Sequence, residues 1–157
     1  MKRMLYRITF WCLVFTFSCS TAAHKPTDKD TAEIIRLTLE RAIVAGEAPD
    51  YHMIKDRPPI VISSENLNPN WLPQFPGLEL TMLDQQQIQE RADASPLFLY
   101  LRFRSIQIKG EQAEVVLDVV QARGKQTKEM GFGGSLTIEY RKENGKWIGE
   151  VKEKVIA

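Results

Sequence analysis

Few residues of this chain belong to the types that do chemistry. For metal ligation or a nucleophilic triad the sequence offers two histidines, His24 and His52, and two cysteines, Cys12 and Cys19. His52 and Asp56 stand four apart, but they lie in the stretch Asp50 to Pro59, which reads as a proline-bounded loop, so helical spacing does not make them neighbours. There is no His-Glu-x-x-His and no Cys-x-x-Cys. The glycine cluster Gly131-Phe-Gly-Gly134 leads into a strand. A phosphate loop uses the N-terminus of a following helix, so this cluster reads as a bend in a sheet. No catalytic residue, metal ligand or cofactor-binding residue is assigned from these patterns, and no cofactor is expected.

The remaining reactive types are carboxylates and tyrosines. Asp118, Glu139 and Glu150 share the parity of Arg102, Arg104 and Arg141 in alternating segments, which reads as ion pairing on one sheet face. Tyr140 has the opposite parity, as the one polar tip on the face expected to be buried. Acid–base chemistry would need Tyr140 to converge with an acid such as Asp118, and the alternation places them on opposite faces. Asn68 to Gly77 carries three prolines and two aromatic rings, Trp71 and Phe75. Rings held between prolines suit a binding surface and equally suit a plug at the open end of a curved sheet. Trp71 and Phe75, with Tyr51 and His52, are therefore the candidate binding surface.

These residues have to be positioned by the segment from Leu97 to Ala157, which reads as a four-stranded antiparallel meander. Leu97, Leu99, Leu101 and Phe103 alternate with Phe98, Tyr100, Arg102 and Arg104. A Lys109-Gly110-Glu111 turn leads to a strand Ala113–Ala122, and a polar loop around Lys125 to Glu129 leads to a strand Ser135–Lys142. Asn144-Gly145 then predicts a type I′ turn, because both residues tolerate positive φ, and Trp147–Ile156 closes the meander. One face collects Leu99, Leu101, Phe103, Val115, Leu117, Val119, Leu136, Ile138, Tyr140 and Val151 and must be covered. The other collects Arg102, Arg104, Asp118, Glu139, Arg141, Glu150, Lys152 and Lys154 and reads as solvated. Ile106 and Ile108 fall out of step, so a bulge is expected around Ser105.

The cover is expected to be a helix starting at Asp30, with Glu33 at capping-box spacing and Ile35, Leu39, Ala42, Ile43 and Gly46 on one face. Ile34, Leu37 and Val44 broaden its apolar surface. Ile60-Val-Ile62 reads as a short edge strand, since Pro58 and Pro59 precede it. Leu78–Leu83 reads as another strand, and Asp84 as the cap of a short helix Gln85–Ala92 with Gln87 completing a capping box.

Residues 1–18 read as a signal peptide: Lys2, Arg3 and Arg7 precede an apolar run of ten residues, Ile8–Phe17, against the roughly 20 a spanning helix needs. Phe15-Thr-Phe-Ser-Cys19 resembles the lipobox of bacterial lipoproteins, with the small Ser18 before the cysteine. The resemblance implies that Cys19 becomes the lipidated first residue, attached to a membrane through residues 19–29 as a tether. Ser20 in the following position implies the outer membrane in a Gram-negative cell. Cleavage after Ala23, which would give a periplasmic or secreted chain, and an uncleaved anchor are the alternatives. Loss of residues 1–18 removes three of 21 basic residues and none of 20 acids, for a formal charge of −2. No basic stripe suggests nucleic acid.

Residues 30–157 fit one α+β domain, an N-terminal helix packed on a curved antiparallel sheet with a C-terminal four-stranded meander. This order of elements resembles the cone-shaped NTF2-like and cystatin-like superfolds, which host enzymes, transport factors, inhibitors and binding modules. The expected function is a non-catalytic envelope lipoprotein or secreted domain that binds a protein partner or a small apolar ligand. The alternatives are a metal-free cone-pocket enzyme of isomerase or dehydratase type and an inhibitor or immunity-type protein.

Overall fold

The computed structural model describes residues 27–95, 98–124 and 131–156. The signal segment, Cys19, His24 and the loop around Lys125 to Glu129 lie outside the described residues. Helix α1 (Asp28–Leu39) continues into a π-helical turn, Glu40–Val44. Its cap is Thr27 rather than Asp30: the Thr27 hydroxyl accepts the Asp30 N–H at 3.1 Å. A threonine with extended backbone does this well, which leaves the Asp30 carboxylate free for tertiary partners. Ile34, Ile35, Leu39, Ala42 and Ile43 are all buried, but of the residues expected to broaden the covered surface only Ile34 is fully buried: Leu37 is half-buried and Val44 is exposed. Gly46, at φ 71°, ends the helical path.

The stretch from Asp50 is not all loop. Asp50 turns the chain at φ 50°, and Tyr51–Lys55 forms the short helix α2, anchored by the buried Ile54. Strand β1 (Ile60–Ser63) follows, and it is an interior strand, not an edge. Pro58 and Pro59 lie outside it, and the Ile60 N–H is free to bond the Glu79 carbonyl at 2.9 Å. With β2 (Leu80–Leu83) and β3 (Phe98–Lys109) on either side, its residues Ile60, Val61 and Ile62 are buried on both faces, as in a parallel interior strand. Between β2 and β3, helix α3 (Gln85–Ala94) begins with the anticipated capping box. Asp84 accepts the Gln87 N–H at 2.8 Å, and the Gln87 side chain accepts the Asp84 N–H at 3.0 Å.

Strands β3, β4 (Gln112–Ala122), β5 (Gly131–Glu143) and β6 (Lys146–Ile156) form the antiparallel meander. The whole sheet is open, six-stranded and mixed, in the order β2-β1-β3-β4-β5-β6. It is not wholly antiparallel, because β1 runs parallel to both neighbours. Gly110 turns the first hairpin at φ 62°, and Asn144 and Gly145 turn the last at 50° and 78°. A register shift between Phe103 and Ser105 returns Ile106 and Ile108 to the α1 side, where they pack on the main core. A second shift lies where Thr137 pairs with Glu153 but Ile138 with Val151. The extra residue, Lys152, reverses the alternation beyond it, and Lys154 pairs with Leu136 instead of belonging to the charged face. The Gly131–Gly134 run lies at a third shift, between Val119 and Val120, with Gly134 at φ 136°.

The α1 side of the sheet holds the main core, including Ile34, Leu39, Phe103, Leu117 and Ile138. The other side is not uniformly solvated. Helix α3 covers its β1–β2 end and the adjoining ends of β3 and β4, where Val61, Leu83, Ile88, Ala92, Tyr100, Val120 and Ala122 make a second, smaller core. Gly149 pairs with Tyr140, whose ring lies over it: a Cβ on Gly149 would sit 2.8 Å from Tyr140 Cδ1. Gly149→Ala is therefore expected to cost about 1–3 kcal/mol by overpacking, read as a lowered midpoint in urea unfolding; an unchanged midpoint would mean that Tyr140 moves freely.

Candidate functional surface

The reactive side chains on both faces are held in structural bonds. On the α1 side, Tyr140 is buried and its hydroxyl lies 2.9 Å from Thr38 Oγ1. The Thr38 hydroxyl donates to the Ile34 carbonyl at 2.8 Å, so the tyrosine is the donor in the pair. Burial pushes the phenol up to about 12, against a smaller opposing effect of the Thr38 bond. A phenol in that position holds its proton at neutral pH. On the opposite face Asp118 is fully buried and accepts Arg102 Nη2 at 3.0 Å and Arg104 Nε at 3.0 Å. Tyr140 and Asp118 thus do not converge, as the alternation indicated.

A third group was not recognised from the sequence. Asp30, one turn into α1, accepts Lys142 Nζ at 2.5 Å, the Trp147 indole N–H at 3.0 Å and the Thr27 hydroxyl at 2.8 Å. The Lys142 ammonium also lies 5.2 Å from the centre of the Trp147 ring. These bonds, Lys142 first, hold the Asp30 carboxyl well below the usual carboxylate range. The only sequence signal was a carboxylate in the first turn of a helix, which capping explains equally well.

Trp71 and Phe75 are half-buried and pack on the margin of the main core, consistent with the plugging role. Trp71 ends a 3₁₀ turn, Pro69–Trp71, that contacts α1. The Tyr51 and His52 rings are neighbours at 5.7 Å, with His52 exposed. Among the described residues no group of three His, Cys, Asp or Glu side chains is placed to hold a metal ion.

An uncovered surface lies on the second face beyond the part that α3 covers, over β4, β5 and β6. A groove of about 460 Å³ is lined by Gln107, Glu114, Glu139, Arg141, Ile148 and Glu150 among others. An adjoining trough of about 550 Å³ runs along Arg104, Val116, Ser135, Thr137, Lys152 and Val155. Glu114, Glu139 and Glu150 stand directly opposite one another across β4, β5 and β6. Like charges so placed repel, and Lys152 offsets this by bonding Glu139 at 2.5 Å and Glu114 at 3.1 Å. Ile148 and Val155 are exposed apolar side chains on the same face. Such a surface, apolar side chains beside charged ones, can engage another macromolecule.

Three substitutions test the charge arrangement. Asp30→Asn is expected to lose about 1–3 kcal/mol at neutral pH. Because folding lowers the Asp30 pKa, its contribution is complete above the ordinary value of 3.8 and is lost as pH falls below it. The difference between parent and Asp30→Asn in urea unfolding should therefore shrink below about pH 4. Asp118→Asn removes the buried charge that partners two guanidiniums, those of Arg102 and Arg104. It should cost about 3 kcal/mol, and Arg104→Met, at a half-exposed residue, about 1 kcal/mol; equal losses would refute this ranking.

Comparison of the chain with protein-family models, with curated proteins and with solved structures finds no match.

Proposed function

We propose that this chain is a non-catalytic envelope lipoprotein or secreted domain that binds a protein partner. The observation that supports this most is the closed interior: Ile35 and Leu39 of α1 and Leu117 and Ile138 of the sheet are at most 1% exposed. A small apolar ligand has no room between them. The hydroxyl of Tyr140 is bonded to Thr38, and the carboxylate of Asp118 to Arg102 and Arg104, so neither is presented to a substrate. An inhibitor or immunity-type role is one form of the same binding reading.

The anchor is Cys19 on this reading, with the tether 19–29 holding the domain at the cell envelope, at the outer membrane in a Gram-negative cell. No helix among the described residues is long and apolar enough to cross a membrane. The finer architecture is proposed to be that of the NTF2-like or cystatin-like cone, supported by an N-terminal helix lying on a curved four-stranded meander.

The test is co-purification from detergent-solubilised envelopes, comparing the parent with Trp71→Ala and Ile148→Glu. A partner that stays with Trp71→Ala and drops at least tenfold with Ile148→Glu places binding on the uncovered face. Loss only with Trp71→Ala places it on the aromatic loop. Equal recovery of every protein with both variants, or no recovery with the parent, would count against partner binding at either surface.

A further inference from the structure

The start of α1 is fixed to one end of the sheet. Asp30 bonds Lys142, near the end of β5, and Trp147, near the start of β6. The Lys142 N–H in turn bonds the Glu111 carbonyl at 2.8 Å, which brings the β3–β4 turn alongside. Three chain features therefore meet at this end: the helix start, the turn at Gly110 and the turn at Asn144-Gly145. Each presents an exposed lysine, Lys29, Lys109 and Lys146 respectively. The acids beside them are Asp28, Glu111 and Glu143, the last paired with Arg141 at 2.5 Å. The opposite end carries Gly134, paired with Ile156 and close to Pro49.

Chain length decides how this body can stand on a membrane. From Cys19 to Asp28 the chain takes nine residue steps, which span at most about 32 Å. From Lys142 back to Gly131 the strand β5 runs eleven residue steps, about 36 Å. A lipid on Cys19 could not reach past the far end of the sheet to a membrane there.

We propose that the end bearing the start of α1 and the two hairpin turns faces the lipid surface, with Lys29, Lys109 and Lys146 at the headgroups and the far end of the sheet directed away. This rests on lipidation of Cys19. The groove lined by Glu114, Glu139 and Ile148, which Lys109 and Gln112 also line, then begins at the lipid-facing end of the domain.

Fluorescence energy transfer to a headgroup-labelled lipid tests the orientation. The full chain, processed in a bacterial host, is reconstituted in vesicles of phosphatidylethanolamine and phosphatidylglycerol after labelling at Lys146→Cys or Lys154→Cys. Both sites are exposed, both lie on β6, and both substitutions remove one positive charge. Transfer is expected to be at least twofold greater from residue 146, and ten Gly/Ser residues inserted after Ser20 should reduce that difference. Radiolabelled palmitate in the same preparations reports the anchor separately. If the chain carries no palmitate, the lipoprotein reading fails and the orientation with it. If palmitate is present but transfer is equal from the two sites or greater from residue 154, the orientation alone is overturned.

Discussion

One face of the meander carries Leu101, Phe103, Val115, Leu117, Leu136 and Ile138, and a sheet face of that composition cannot remain in water. Each such side chain fully buried contributes about 1.5–3 kcal/mol, more than a typical neutral hydrogen bond. The first helix exists to cover this face, and its own apolar surface is correspondingly broad. Once the two are packed, the centre of the interface is closed, and an open cavity of about 390 Å³ remains at its margin, lined by Leu37, Arg41, Val44, Tyr140 and Gly149. The direction of the helix is then set by polar contacts at its ends. Asp30 reaches Lys142 and Trp147 at one end, and Arg41, past the middle, bonds both Glu47 and the Gly149 carbonyl.

The arrangement of the ionisable groups follows from that packing. A carboxylate taken out of water needs charged or hydrogen-bonded partners, and Asp118 and Asp30 each have several. Tyr140, buried among hydrocarbon, needs only one, and Thr38 supplies it. In each case the bonds that make burial tolerable tie the group to partners elsewhere in the fold. What remains accessible is surface: the aromatic loop at Trp71 and the uncovered half of the second sheet face, where exposed isoleucine and valine lie beside a row of carboxylates. That distribution is the ground on which a role in binding is proposed.

Much of the fold was legible because it depends on neighbours in the chain. The two-residue alternation of β3 and β4, the Asn144-Gly145 turn and the Asp84–Gln87 capping box each need only a few consecutive residues. The bulge near Ser105 was legible for the same reason, since Ile106 and Ile108 break the alternation visibly. The opposition of Tyr140 and Asp118 across the sheet also followed from parity, because no bulge intervenes between Tyr140 and its partner Ala113 or between Asp118 and its partner Ser135.

The sequence by itself determined an α+β domain with a helix covering a C-terminal meander, since apolar periodicity is a local property that burial must satisfy. Only the tertiary structure decided that Ile60–Ser63 lies inside the sheet, because an interior and an edge strand of four residues differ in what pairs beside them and not in their own composition. It also decided that α3 covers part of the charged face, that the extra Lys152 sends Lys154 to the helix side, and that Asp30 serves a lysine and an indole more than a hundred residues away. Those choices rest on long-range contacts, and a sequence records them only as residues compatible with several environments.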